Sequence, residues 1–181
     1  MSEYNHDPQD RVWYACYGSN LSSERFKLYI QGGDLITKNV RKHYDGCKKD
    51  KTLWSKSAIN TFPGRIYFGQ KSRTWLDKGV AFYDPDASGR VLMRLYQITW
   101  GQLLEVQDQE GKGAKWYGDC HPIGEYQGLP VYTLTAYDLP FVNEPCDDYR
   151  DLILQALTTE CGMDEESAKR YLEAGSLDPA E

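Results

Sequence analysis

Residues 12–17 form a run of bulky side chains relieved only by Ala15 and Cys16, and the run leads directly into Gly18-Ser19-Asn20. Such a run, bounded by a turn, predicts a buried strand. An amphipathic helix then opens near Leu21-Ser22-Ser23-Glu24-Arg25-Phe26, with Ser19 and Asn20 placed to cap it and Gly32-Gly33 placed to end it. Residues 37–68 mix charge with isolated aromatics and show no clean period, although Ile66-Tyr67-Phe68 after Pro63-Gly64 reads as a strand. Residues 79–83 and 91–99 predict a hairpin around the turn at 84–89. Helical character follows over 100–108, where Leu103, Leu104 and Val106 stand among polar residues, and Glu110-Gly111-Lys112-Gly113 closes it. A second strand pair is expected over 117–126 and 131–137. The last third is helical: 148–160 places Leu152, Ile153, Ala156 and Leu157 on one face, and Asp164 caps a final helix through Ala174.

This order, one β-α unit, then mostly antiparallel strands, then helices, predicts an α+β fold. The expected form is a small, mostly antiparallel, barrel-like sheet flanked by helices. Residues 1–10 are polar, contain Pro8 and read as a mobile tail, which leaves 11–181 as a single domain without repeats or internal linkers.

Composition narrows the function classes. A formal charge of −6 disfavours nucleic acid, which needs a concentrated basic stripe. The densest basic run, 41–56, is broken by Asp45 and Asp50 and reads as a solvated loop. Fourteen tyrosines against five phenylalanines point to buried hydroxyls with partners, or to a pocket that handles a polar small molecule. The five cysteines are scattered with no C-x-x-C pair, and the three histidines lack helical spacing, so no metal site is expected. The sequence shows no apolar run long enough for a signal peptide or membrane span, and free thiols suit a reducing cytoplasm.

Two places could carry chemistry. Gly18-Ser19-Asn20 is either an ordinary strand-to-helix turn or a corner whose unpaired backbone N–H groups hold a carboxylate or phosphate. Glu110, at the end of a helix among apolar and aromatic residues, is either an exposed helix-end glutamate or a desolvated carboxylate suited to general-base work. Gly111-Lys112-Gly113 fails as a phosphate loop, since Val106 and Gly113 break the required pattern at both ends. Cys120-His121 fails as a nucleophile–base pair, because neighbours on a strand face opposite ways.

Tyr17-Gly18-Ser19-Asn20-Leu21 after an apolar strand resembles the opening of the γ-glutamylcyclotransferase-like family, and Glu110-Gly111 followed by Tyr117 resembles that family's acid/base segment. Tyr149, after Pro145, falls where a further family tyrosine stands. The resemblance implies an enzyme without cofactor or metal, which releases 5-oxoproline from a small γ-glutamyl amide. Glu110 would be the catalytic acid and base, with Tyr17, Gly18, Ser19, Asn20, Leu21, Tyr117 and Tyr149 at the substrate. Gln107 replaces the family's usual aspartate and Met93 a common glycine, departures that bear on substrate identity. The alternatives of the same fold are a non-catalytic module for a metabolite or peptide, or a γ-glutamyl amide hydrolase. Amino acid, peptide and amine leaving groups all fit, and the sequence carries no signal for an oligomeric state.

Overall fold

The apolar run near the start becomes β1 (Arg11–Cys16), the middle strand of the principal sheet in a computed structural model that describes residues 5–179. A tight 3-10 turn over Ser19–Leu21 leads to α1 (Ser23–Gln31). The cap lies further along than the sequence suggests: the Ser22 side chain, rather than Ser19 or Asn20, accepts the Arg25 N–H at 3.3 Å. Gly32 then ends α1 with φ +82°, where a side chain would be strained.

β2 (Gly33–Ile36) follows, and the stretch 37–68 that resists sequence reading holds β3 (Arg41–Tyr44), β4 (Ser57–Pro63) and the start of β5 (Arg65–Ser72), the last where Ile66-Tyr67-Phe68 reads as a strand. They are followed by β6 (Lys78–Asp84), β7 (Arg90–Thr99), α2 (Trp100–Glu110), β8 (Asp119–Tyr126) and β9 (Leu129–Thr135). Two helices close the described chain, α3 (Asp147–Thr159) and α4 (Glu165–Ala174), the latter capped by Asp164 as expected.

The strands make an α+β fold with a mostly antiparallel sheet of order β4-β7-β1-β9-β8, accompanied by the β2-β3 and β5-β6 pairs. Only β1 and β9 run parallel within the five-stranded sheet. The hydrogen-bonded strands form no closed ring, so the barrel-like expectation reduces to one open sheet with two ribbons beside it.

One pairing differs from expectation. β6 and β7 exist where predicted but do not form a hairpin. Both edges of β7 are taken, by β1 on one side and β4 on the other, so β6 turns away to pair with β5. The β8–β9 pair forms as expected, turning at Gln127-Gly128.

Residues 6–10 are tied down. The Trp100 and Gly101 amides donate to the Asp10 and Pro8 carbonyls, and the His6 ring is 2.7 Å from the Tyr132 hydroxyl. The part of the expected tail before residue 5 lies outside the described residues.

Aromatic side chains fill the space between β1, β7 and α1. Phe26, Tyr96 and Trp54 meet with ring centroids 4.4–5.3 Å apart, and Phe26 and Tyr96 have no exposed surface. Burying a side chain of this kind stabilises by about 1.5–3 kcal/mol. This packing fixes the strand–turn–helix corner against the sheet. No helix among the described residues is long and apolar enough to cross a membrane.

Candidate active site

A cleft with about 670 Å³ of empty space, part of it open to solvent, lies where β1 gives way to the 3-10 turn. Its lining brings together Tyr17, Gly18, Ser19, Asn20, Glu110, Tyr117 and Tyr149, which are separated by up to 132 positions in the chain. Leu21 does not join them. Its side chain is fully buried in the core, and its contribution is a carbonyl that accepts from Arg94 Nη1 at 3.2 Å.

The turn presents donors to the cleft. Among the described residues the backbone N–H groups of Gly18, Ser19 and Asn20 find no acceptor on the chain, whereas the next two amides bond back to Gly18 and Ser19. Gly18 is not there for a left-handed conformation, since its φ is −109°. It is there for closeness: a Cβ at this position would stand 3.1 Å from Ala81 Cβ and 3.2 Å from the Tyr149 hydroxyl.

Behind the cleft the same turn is braced. The Tyr96 hydroxyl donates to the Asn20 carbonyl at 2.8 Å. The Glu160 carboxylate accepts from the Ser23 amide and hydroxyl and pairs with Arg94 at 2.9 Å.

Glu110 is the last residue of α2, a helix whose start is fixed by a Thr99–Gln102 capping box. Its carboxylate accepts from Asn20 Nδ2 at 3.1 Å. Burial raises the proton affinity of Glu110 above that of an ordinary glutamate; Arg25, Tyr29, Asn20 and Lys42 oppose the rise without cancelling it. A carboxyl in this condition exchanges protons closer to neutrality than a surface glutamate does.

The tyrosines are fixed from the opposite wall. Tyr117 donates to the Ala81 carbonyl at 2.7 Å and stacks on Phe82 at 4.9 Å, while the Tyr149 oxygen accepts the Ala81 N–H at 3.0 Å. Tyr17 spends its proton on the Leu134 carbonyl at 2.6 Å, so its hydroxyl is occupied within the fold. Burial raises the proton affinity of all three phenols, which stay neutral near pH 7. Gln107, one of the departures, is buried and donates to the Tyr117 and Gly118 carbonyls at 2.9 and 3.1 Å. An aspartate could not make those bonds, so here the residue serves to hold the Tyr117 segment. Met93 is a core residue with no exposed surface.

Sequence reasoning missed one whole wall. Arg25 and Tyr29 from α1 and Lys42 and Tyr44 from β3 also line the cleft. Their spacing was a usable signal, since i,i+4 on a helix and i,i+2 on a strand each put two side chains on one face. The basic run 41–56 is therefore not simply a solvated loop: Arg41–Tyr44 is strand, and the Lys48 and Lys49 amides donate to the Glu105 carboxylate of α2. Among the described residues no group of three or more His, Cys, Asp or Glu could hold a metal ion.

Solved structures share this architecture. A γ-glutamyl cyclotransferase superposes with a TM-score of 0.63 at 17% identity, over 94% of this chain and 90% of that one. An uncharacterized protein from Homo sapiens gives 0.63 at 17% identity, over 93% and 90%. YkqA from Bacillus subtilis gives 0.54 at 18% identity, over 93% of this chain and 56% of that one. The chain therefore has the γ-glutamyl cyclotransferase-like fold. No family model matches it. Histone deacetylase 5 from Arabidopsis thaliana is 28% identical over 215 residues, covering 93% of this chain. The chain spans only 31% of that relative's length, and the name says nothing about this segment's chemistry.

Proposed function

We propose that the chain is a γ-glutamylcyclotransferase-type enzyme that releases 5-oxoproline from a γ-glutamyl amide. The observation that carries this reading is the meeting of three unpaired backbone donors at Gly18, Ser19 and Asn20 with a buried carboxylate, Glu110, joined to them by the Asn20 side chain. The cyclotransferase fold supports it.

In this reading the α-carboxylate of the substrate sits on the amides of the turn. Glu110 takes a proton from the α-ammonium, and the freed amine attacks the γ-carbonyl carbon. The new C–N bond closes a five-membered ring as the amide C–N bond breaks. The ring nitrogen gives up a second proton, so that the leaving amine, supplied through Glu110, departs as ammonium. No cofactor is required, because nucleophile and electrophile belong to one molecule. The protein holds the folded conformer and moves protons, a contribution of roughly 10²–10⁴-fold for the proton transfer alone. Tyr117 and Tyr149 shape the wall beside the reacting carbonyl. The working compartment is reducing and cytoplasmic, in keeping with five free cysteines. The partner is a small γ-glutamyl metabolite rather than nucleic acid or membrane.

The test is mass spectrometry for 5-oxoproline after incubation with γ-glutamyl amino acids, glutathione and γ-glutamyl amines. Release that disappears in Glu110→Gln supports the reading and identifies the leaving group. Free glutamate in its place would show hydrolysis, and a folded protein silent across the panel would favour the binding-module alternative.

A further inference from the structure

β3, which brings Lys42 and Tyr44 to the cleft, belongs to a ribbon that joins neither the five-stranded sheet nor the β5-β6 pair. Its base is tied to α1, where the Cys47 N–H donates to the Ile30 carbonyl at 3.0 Å. Leu35 and Val40 pack inward, but apolar contact is non-directional and holds a ribbon without fixing its position closely. The tip is held by one carboxylate. Asp148, near the start of α3, accepts from the Thr37 hydroxyl at 2.5 Å, the Asn39 N–H at 2.7 Å and Asn39 Nδ2 at 3.1 Å. An acid in the first turn of a helix is ordinarily explained by the helix dipole, and Asp147 answers that need as well. The dipole asks for no partner, whereas both Asp148 oxygens are spent on residues 109 and 111 positions away.

These contacts close a circuit around the cleft. The next residue, Tyr149, lines it and packs edge-on against Trp75 at 4.9 Å. Thr74, beside Trp75, accepts from Lys42 Nζ at 3.1 Å, which returns the path to the ribbon. Lys42, Thr74, Trp75 and Tyr149 all line the cleft, and Asp148 does not. The geometry points to Asp148 as a positioning residue that clasps the tip of the β2-β3 ribbon to α3, and so fixes the wall bearing Lys42 and Tyr44 relative to the wall bearing Tyr149. Glu110 and the amides of Gly18, Ser19 and Asn20 belong to α2 and the turn, outside this circuit. Loosening the clasp therefore loosens the fit of the substrate and leaves the proton transfer in place. The effect on KM rests on the enzymatic reading above; the clasp itself does not.

Hydrogen exchange, followed by NMR on the full chain, reads the clasp without any substrate. In Asp148→Ala the β3 amides are expected to exchange faster while those of β1 keep their protection. The KM of the γ-glutamyl amide should rise roughly tenfold, with kcat within about twofold of the unsubstituted protein. Asp148→Asn keeps one acceptor oxygen and should lie between the two. Asn39→Ala, at an exposed position, removes one bond of the clasp and should move exchange and KM in the same direction; it serves as the test if Asp148→Ala does not fold. Combined with Asp148→Ala it should add nothing. Unchanged exchange of β3 in folded Asp148→Ala or Asn39→Ala would overturn the proposal. So would a fall in kcat with KM unmoved, or a loss of stability with both unmoved. If β3 loosens but the unsubstituted protein releases no 5-oxoproline from any substrate, the clasp stands and the enzymatic reading fails.

Discussion

The front and back of the turn at residues 18–21 are built on opposite rules. At the back, the Asn20 and Leu21 carbonyls are met by Tyr96 and Arg94, and the Ser23 amide by Glu160. At the front, the amides of Gly18, Ser19 and Asn20, the Asn20 Oδ1 and two nitrogens of Arg25 have no partner among the described residues. Buried polar groups are ordinarily satisfied, so leaving several of them open in one place is a cost that the braced side offsets. The contrast teaches that the turn is rigid in order that its unsatisfied face can stay unsatisfied. Such pre-organised donors suit a ligand or a developing charge.

The largest expected effect breaks the front alone. Glu110→Gln should lower 5-oxoproline release by at least ~10²-fold while leaving the melting transition cooperative, as checked by mass spectrometry and circular dichroism. An intact rate would remove Glu110 from the mechanism. Activity should also fall as pH drops through a value above that of an ordinary glutamate, because burial raises Glu110 and only its carboxylate can take the proton. A pH–rate profile that stays flat down to ordinary glutamate acidity would contradict that burial.

Breaking the back should move stability and rate together. Glu160→Ala removes the partners of Ser23 and Arg94 at a mostly buried site, and about 2–3 kcal/mol of unfolding free energy should be lost in urea. A comparable loss of stability with full activity would show that the brace does not matter to the front. Gly18→Ala tests the junction of the two sides. Its methyl group would press on Ala81 and Tyr149 and is expected to cost about 1–3 kcal/mol, together with weaker substrate binding. The smallest effect is Thr99→Ala at the far end of α2. It should cost about 1 kcal/mol of stability and leave KM unchanged, since it only uncaps the helix that carries Glu110.

The parts of the site that the sequence made legible are those in which local pattern and chemistry coincide. β1 announced itself by composition and the turn by its glycine, while the place of Glu110 before Gly111 fitted either an exposed or a desolvated carboxylate and resemblance separated the two. Tyr149 came from resemblance, and nothing local marks it. What escaped is what depends on long-range pairing. β6 and β7 look like a hairpin along the chain, and only the occupied edges of β7 prevent it. Leu21 sits within the turn, yet faces the core because the 3-10 geometry rotates it away from the cleft. Lys42 and Tyr44 lay hidden in a short strand too polar to read by period, burial pattern and all.

The parallel match of β1 with β9 has a consequence for the birth of the molecule. Trp13 and Tyr14 align with Val131 and Tyr132, so β1 is made well over a hundred positions before the strand beside it. On its other flank, β7, the paired residues lie between Cys16↔Arg94 and Arg11↔Thr99, roughly eighty positions downstream. Folds dominated by such distant pairings collapse slowly, and their early strands wait with open edges. The nascent chain therefore holds the turn's residues long before the strands that brace them have been made.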